Sequence, residues 1–175
     1  MREHADQRRI RSLIEFLGRN ARSACDVFFT GGACAVLHGW RAATLDVDLL
    51  FVPDSDDILR LLPRAKEKLI LNIELVAPPN FIPELPGWRE RCIFIEKRGE
   101  VSFYHYDFYS QALSKIERNH AQDAIDVESM LNAQLVTPEK LLTLFDEIEP
   151  LLFRYPAIHP ESFRRAVLNT VQRLG

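Results

Sequence analysis

Asp46 and Asp48 stand two residues apart inside the apolar run Leu45-Asp46-Val47-Asp48-Leu49-Leu50-Phe51-Val52. In a β-strand alternate side chains share a face, so both carboxylates project together while Val47, Leu49 and Phe51 point the other way. Adjacent carboxylates on a hydrophobic strand repel each other, and burying them unpaired is costly, so the pair asks for a cation. Hard oxygen ligands at this spacing suit Mg²⁺, which takes one or two carboxylates plus phosphate oxygens. Upstream, Phe29-Thr30-Gly31-Gly32 closes a second apolar run, with thirteen residues between Gly32 and Asp46. Paired glycines let backbone N–H groups come close to a triphosphate, here at the start of a helix expected near Ala33. Metal on one side and a helix dipole on the other are what phosphoryl or nucleotidyl transfer needs.

Other chemistries fit less well. The sequence contains no GxxxxGK[ST], GxGxxG or HExxH motif. A phosphatase of the haloacid-dehalogenase type also uses Asp-x-Asp, but wants its first Asp at the end of a strand. Here Asp46 follows Arg41-Ala42-Ala43-Thr44-Leu45 and the strand pattern continues beyond Asp48.

The elements that must position these groups follow from periodicity. Ile10, Leu13, Ile14 and Leu17 recur at helical spacing, predicting an amphipathic helix over residues 3–20. Val27-Phe28-Phe29 reads as a buried strand, Ala33 to His38 as a short helix, and Leu45 to Val52 as a second strand closed by Pro53. A helix follows from Asp54 to about Lys68, with acidic residues at its start, then a third strand from Ile70 to Val76. Ala77 to Trp88 carries four Pro and one Gly and reads as a long exposed loop. Cys92 to Glu96 and Val101 to Tyr106 flank Lys97-Arg98-Gly99-Glu100, a hairpin signal. From Phe108 the pattern turns helical, with later helices marked by Ala124 to Leu135, Leu141 to Ile148 and Phe163 to Thr170. Pro138 sits near a helix start, where proline is tolerated. Strands first and helices after predict an α+β fold, a mixed β-sheet flanked by helices. The expected division is a core over residues 1–110 and a helical C-terminal part over 111–175, packed as one unit.

Composition agrees. The chain has 175 residues, 47% of them hydrophobic and 27% charged, which suits a globular domain with a sizeable core and excludes a disordered chain. No apolar stretch reaches the length of a membrane span, and the N-terminal residues carry arginines with no apolar signal segment, so a cytoplasmic location is expected. A net charge of −3 recruits no polyanion globally. Residues 1–22 carry six Arg against Glu3, Asp6 and Glu15, which reads as a solvated helix face. Cys25, Cys34 and Cys92 lack metal-ligand spacing and read as reduced thiols in or near the core.

Gly31-Gly32, followed by Arg41, Thr44, Asp46 and Asp48, resembles the Gly-Gly/Ser…Asp-x-Asp signature of the DNA polymerase β-like nucleotidyltransferase superfamily. Leu113-Ser114-Lys115-Ile116-Glu117-Arg118, with Asp123 and Asp126 after it, is similar to the corresponding region of the abortive-infection (AbiEii-type) bacterial toxins and a neighbouring family of uncharacterised bacterial nucleotidyltransferase-like proteins. The resemblance spans roughly residues 25–135. It implies a nucleotidyltransferase fold with Asp46 and Asp48 as ligands of a two-metal Mg²⁺ site and Gly31 and Gly32 as the phosphate-approach loop. It further implies Lys115 as a neutraliser of triphosphate charge and Asp123 as the residue that orients the lysine or the base. The superfamily supplies a third carboxylate from a neighbouring strand. Glu74, between Ile73 and Leu75 and sharing a face with Asn72, is the candidate, and Asp107 is its competitor. The implied partners are a nucleoside triphosphate, an RNA or protein hydroxyl acceptor, and a cognate antitoxin.

Two positions depart from the pattern: Gly32 stands where many active members carry Ser, and Gln122 where the toxins often carry Arg. They motivate a second reading, a nucleotidyltransferase fold that binds a nucleotide or partner without turnover. Several residues keep two readings on sequence grounds. Arg41 and Thr44 either brace the Asp-x-Asp strand or touch the nucleotide. Asp123 and Asp126 share a helix face at i, i+3. His38 and His105 are core or surface histidines or titrate near the site. Phe81 and Trp88 pack their loop or stack on a base.

Overall fold

The apolar runs at alternating positions become the strands of one mixed sheet, and the helical repeats become helices, in a computed structural model that describes residues 4–175. The chain divides into two units. The first comprises the described residues up to Ala77 together with Cys92–Tyr106, and the second comprises Pro78–Arg91 with Asp107–Gly175.

In the first unit the elements are β1 (Ala5–Asp6), α1 (Gln7–Asn20), β2 (Cys25–Thr30), α2 (Gly31–His38), β3 (Ala43–Thr44), β4 (Asp46–Val52), α3 (Asp56–Leu69), β5 (Asn72–Glu74), β6 (Ile93–Arg98) and β7 (Val101–His105). Five strands form a sheet in the order β5-β4-β2-β7-β6, and β1 pairs separately with β3. Strand β2 runs antiparallel to β4 and parallel to β7, while β4 and β5 are parallel. The core is built from Ile10, Leu13 and Leu17 of α1 with Val27, Phe29, Val47, Leu49, Ile73 and Phe103 of the strands, all buried.

Local chemistry sets the boundaries. Helix α1 starts at Gln7 because the Asp6 side chain accepts the Arg9 N–H, and Ala5–Asp6 extends to pair with β3. The predicted start at residue 3 lies outside the described residues, as do Arg2 and Glu3 of the N-terminal charge count. Ser55 caps α3 through the Ile58 N–H, with Asp56 and Asp57 in the first turn where the dipole favours them. The third strand is shorter than its apolar run, because Ile70 adopts the left-handed conformation that ends α3.

The second unit contains α4 (Trp88–Arg91), α5 (Phe108–Arg118), α6 (Ala121–Asn132), α7 (Pro138–Ile148) and α8 (Pro160–Leu174). It takes up α5 at Asp107, the residue that caps that helix through the Tyr109 N–H. Pro138 is the first residue of α7, behind the Thr137 cap. The Pro-rich stretch expected to be an exposed loop is partly internal: Pro78, Ile82 and Leu85 are buried, and the Tyr155 hydroxyl donates to the Pro79 carbonyl at 2.9 Å. Its apolar residues between prolines had a place to bury, which a proline count does not reveal. No helix among the described residues is long and apolar enough to cross a membrane.

Candidate active site

Strand β4 presents its two carboxylates on one face. Val47, Leu49 and Phe51 are buried, while Asp46, Asp48 and Leu50 alternate with them as half-buried residues. The expected alternation is therefore present. Registers with both neighbours assemble the rest. Thr30, the last residue of β2, pairs with Asp48 across an antiparallel ladder, and on the other side Asp46 pairs with Asn72 and Asp48 with Glu74. Register partners on adjacent strands share a face, so Asp46, Asp48, Asn72 and Glu74 form one polar patch on the sheet.

The glycine turn sits directly against this patch. Gly31 has φ +58°, the left-handed region that glycine adopts without strain, and a Cβ there would lie 2.8 Å from Asp48 Oδ2. At Gly32 a Cβ would overlap the Thr44 hydroxyl and come within 3.3 Å of the Arg41 guanidinium. Thr44 also donates to the Asp46 carbonyl at 3.1 Å, so one buried threonine fixes the start of β4 and fills the space beside the second glycine. That contact gives Gly32 a local reason: a serine side chain has no room while Thr44 stands there. Helix α2 begins at Gly31 and directs its first N–H groups, the positive end of its dipole, to this corner.

The third-carboxylate candidates differ in position. Glu74 lies on the patch, exposed, and Asn72 donates to it at 3.1 Å and to Asp46 Oδ1 at 2.5 Å. Asp107 belongs to the helical unit and is fully buried. Its carboxylate accepts two hydrogen bonds from Arg91, at 3.1 and 2.8 Å, one from Ser110 at 2.7 Å and one from the Tyr109 N–H. Both of its oxygens are occupied, Oδ1 by Arg91 and the capping Tyr109 N–H, Oδ2 by Arg91 and Ser110.

Lys115 and Asp123 are also in the helical unit and meet each other. The Lys115 ammonium donates to Asp123 at 3.2 Å and to Asp126 at 2.8 Å, and all three side chains are buried. Arg118 grips Asp123 in two-pronged fashion at 2.8 and 2.6 Å, and the His120 N–H at the helix start adds a further bond. Gln122, the departure noted in the sequence, donates to Asp126 at 3.4 Å. Burial pushes the Asp123 carboxyl up, but Arg118 and Lys115 outweigh it and hold the group at about 2. Lys115 and Asp123 form part of the wall of a cavity of about 230 Å³ with Asn119, Asn169 and Arg173.

Two polar arrangements escaped the sequence reading, the Asn72 bridge and the Arg91–Asp107 pair. Asn72 was legible from alternation in Asn72-Ile73-Glu74, whereas the Arg91–Asp107 pair depends on long-range packing. His105 Nδ1 lies 3.3 Å from Cys34 Sγ, and its ring is 4.4 Å from that of His38. Burial, with His38 adding to it, pushes His105 down to about 3, so it is a neutral packing group at physiological pH. Phe81 is exposed and Trp88 half-buried, both in the helical unit.

The donor chemistry on β4 and β5 fits a hard divalent cation. Among the described residues no three His, Cys, Asp or Glu side chains already converge as a cage. Mg²⁺ does not require one, since it binds through one or two carboxylates and completes its shell with water and phosphate oxygens. Asp46 and Asp48 would be that pair, and Glu74 and the Asn72 amide oxygen are further hard donors on the same face.

A family model described as "Nucleotidyltransferase of unknown function (DUF6036)" matches residues 8–162, and the chain belongs to that family. No curated protein and no solved structure matches it.

Proposed function

We propose that this member of a nucleotidyltransferase family moves a nucleoside monophosphate from a nucleoside triphosphate to an acceptor hydroxyl on the Asp46–Asp48 face. The observation that carries the reading is the placing of both carboxylates on one face of β4 with Gly31 immediately against Asp48. Asp46 and Asp48, with Glu74 as the third carboxylate, are the residues that would hold Mg²⁺. When bound, a pair of such ions would stabilise the attacking and leaving oxygens of the displacement.

The chain's own groups do the positioning. Gly31 and Gly32 add no side chain of their own at the start of α2, where backbone N–H groups and the helix dipole would favour the triphosphate. The Arg41 guanidinium, beside Gly32, adds positive charge at the phosphates. Thr44 holds Asp46 through its carbonyl and so acts on the site as a positioning residue. In the reaction the acceptor hydroxyl gives up its proton to water as its oxygen forms a bond to the α-phosphorus, the bond from that phosphorus to the bridging oxygen breaks, and pyrophosphate leaves with the electron pair. Lys115 and Asp123 take part through their own ion pairs, holding α5 against α6.

The acceptor in this reading is an RNA 3′ end or a protein hydroxyl. A toxin role, opposed by a cognate antitoxin, rests on the resemblance of the Lys115–Asp126 region. It predicts growth arrest on expression in a bacterial host that Asp46→Asn relieves. Transfer itself is tested by incubating the protein with each α-labelled triphosphate, Mg²⁺ and either RNA or protein acceptors. Label should move with wild type and not with Asp46→Asn, and equal labelling by both would remove Asp46 from the chemistry. A second reading, a domain that binds nucleotide without turnover, is favoured by one feature: Asn72 engages Asp46 and Glu74 at once. It predicts triphosphate binding with no pyrophosphate release under any acceptor.

A further inference from the structure

We infer that Asn72 is a built-in substitute for the divalent cation: its amide holds Asp46 and Glu74 together and yields those oxygens when a cation binds. This inference rests on the proposed function and adds a regulated exchange to the same site. Asp46, Asp48 and Glu74 place three negative charges on adjacent positions of two hydrogen-bonded strands, and like charges so placed oppose the pairing of β4 with β5. The Asn72 side chain counters two of them. The Asn72 NH₂ donates one proton to Asp46 Oδ1 and another to Glu74 Oε1. An amide nitrogen carries two donors, and ionised carboxylates only accept, so the nitrogen rather than the oxygen must face the two acids.

These are the same oxygens that a hard cation would take. N–H donors and a metal ion both bring positive charge to them, so the two compete for one place. Asn72 can serve either state without leaving the strand. Turning the amide about its Cβ–Cγ bond withdraws the NH₂ and presents Oδ1, itself a hard oxygen donor. Aspartate in this position would add a fourth negative charge, and alanine would remove the bridge altogether. Asn72 is therefore a positioning residue that keeps Glu74 turned toward Asp46.

The test is the thermal midpoint of wild type, Asn72→Ala and the isosteric Asn72→Asp, each in EDTA and across a series of MgCl₂ concentrations. In EDTA, Asn72→Ala should melt lower by about 3–8 °C, the loss of two charge-assisted hydrogen bonds in a chain of this size. Asn72→Asp should fall at least as far. Saturating Mg²⁺ should recover most of both losses, so the Mg²⁺-induced rise is larger in the variants than in wild type. Should Asn72→Ala fail to fold, Asn72→Asp, with its unchanged shape, carries the same comparison. Equal EDTA midpoints, or equal Mg²⁺-induced rises in all three proteins, would overturn the exchange while leaving metal binding at Asp46 and Asp48 standing. Losses that Mg²⁺ does not recover would make Asn72 an ordinary structural amide. Loss of label transfer in Asp46→Asn is read separately and decides the proposed function.

Discussion

Two groups of carboxylates in this molecule are handled in opposite ways. Asp123 and Asp126 in the helical unit are buried and matched by fixed cations, Lys115 and Arg118, within 3.2 Å. Asp46, Asp48 and Glu74 on the sheet are half-buried or exposed, and a neutral amide engages two of them. Charge supplied from within makes a structural tie: removing its cation strands buried carboxylates, which costs far more than the pair contributes over apolar residues. Charge left to an amide at the surface makes a place where an external cation is favoured. Carboxylates in a motif thus say little about function until their counter-charges are known.

The contrast can be broken at either end, and the largest effect is expected in the helical unit. Lys115→Met leaves Asp126 buried without its cation and should cost about 3–5 kcal/mol in denaturant unfolding. Loss of nucleotide affinity with unchanged stability would instead make Lys115 a ligand contact. On the sheet the effect on stability is smaller and the effect on chemistry larger. Asp46→Asn removes one of several like charges but keeps an oxygen that can accept from Asn72, so its thermal midpoint in EDTA should move by less than that of Lys115→Met, while label transfer should fall by at least about 100-fold.

Acid sharpens the same comparison. The Asp123 carboxyl sits at about 2, below its ordinary value. Its contribution is complete above the unfolded value near 4 and is lost as pH falls toward the folded one. Unfolding followed between about pH 5 and pH 2 should show a loss of about 2 kcal/mol from this group. Lys115→Met should flatten that slope. The smallest effect tests the glycine turn: Gly32→Ser should cost about 1–2 kcal/mol by crowding Thr44. Combining it with Thr44→Ala should recover part of the loss, measured as a coupling between the two sites.

Much of the sheet was legible because each strand carries its own signal. The alternation of Asp46-Val47-Asp48-Leu49 fixes which side chains share a face, and Gly31-Gly32 at the end of an apolar run marks the turn. Placing the turn against Asp48 needed the antiparallel register of β2 and β4, which no local pattern encodes. The sequence left Glu74 and Asp107 both open: Glu74 closes β5 beside Asp48, whereas Asp107, past the end of β7, is taken up by Arg91 and the start of α5 through packing that no local pattern encodes. Lys115, Asp123 and Asp126 were visible as a set. Their mutual pairing was not, because it depends on the left-handed turn at Asn119 that brings α6 back along α5. The apolar residues between the prolines of residues 78–86 misled for a related reason, since burial follows the partner surface rather than the proline count.

The central claim is that the β4 carboxylates and the glycine turn together hold a divalent cation and a triphosphate. Calorimetric titration of the whole chain with each nucleoside triphosphate, in Mg²⁺ and in EDTA, tests it most directly when wild type is set beside Asp48→Asn. The account predicts binding of at least one triphosphate that requires Mg²⁺ and is lost in Asp48→Asn while the variant remains folded. Triphosphate binding of equal strength in the two proteins, or in Mg²⁺ and EDTA alike, would contradict it.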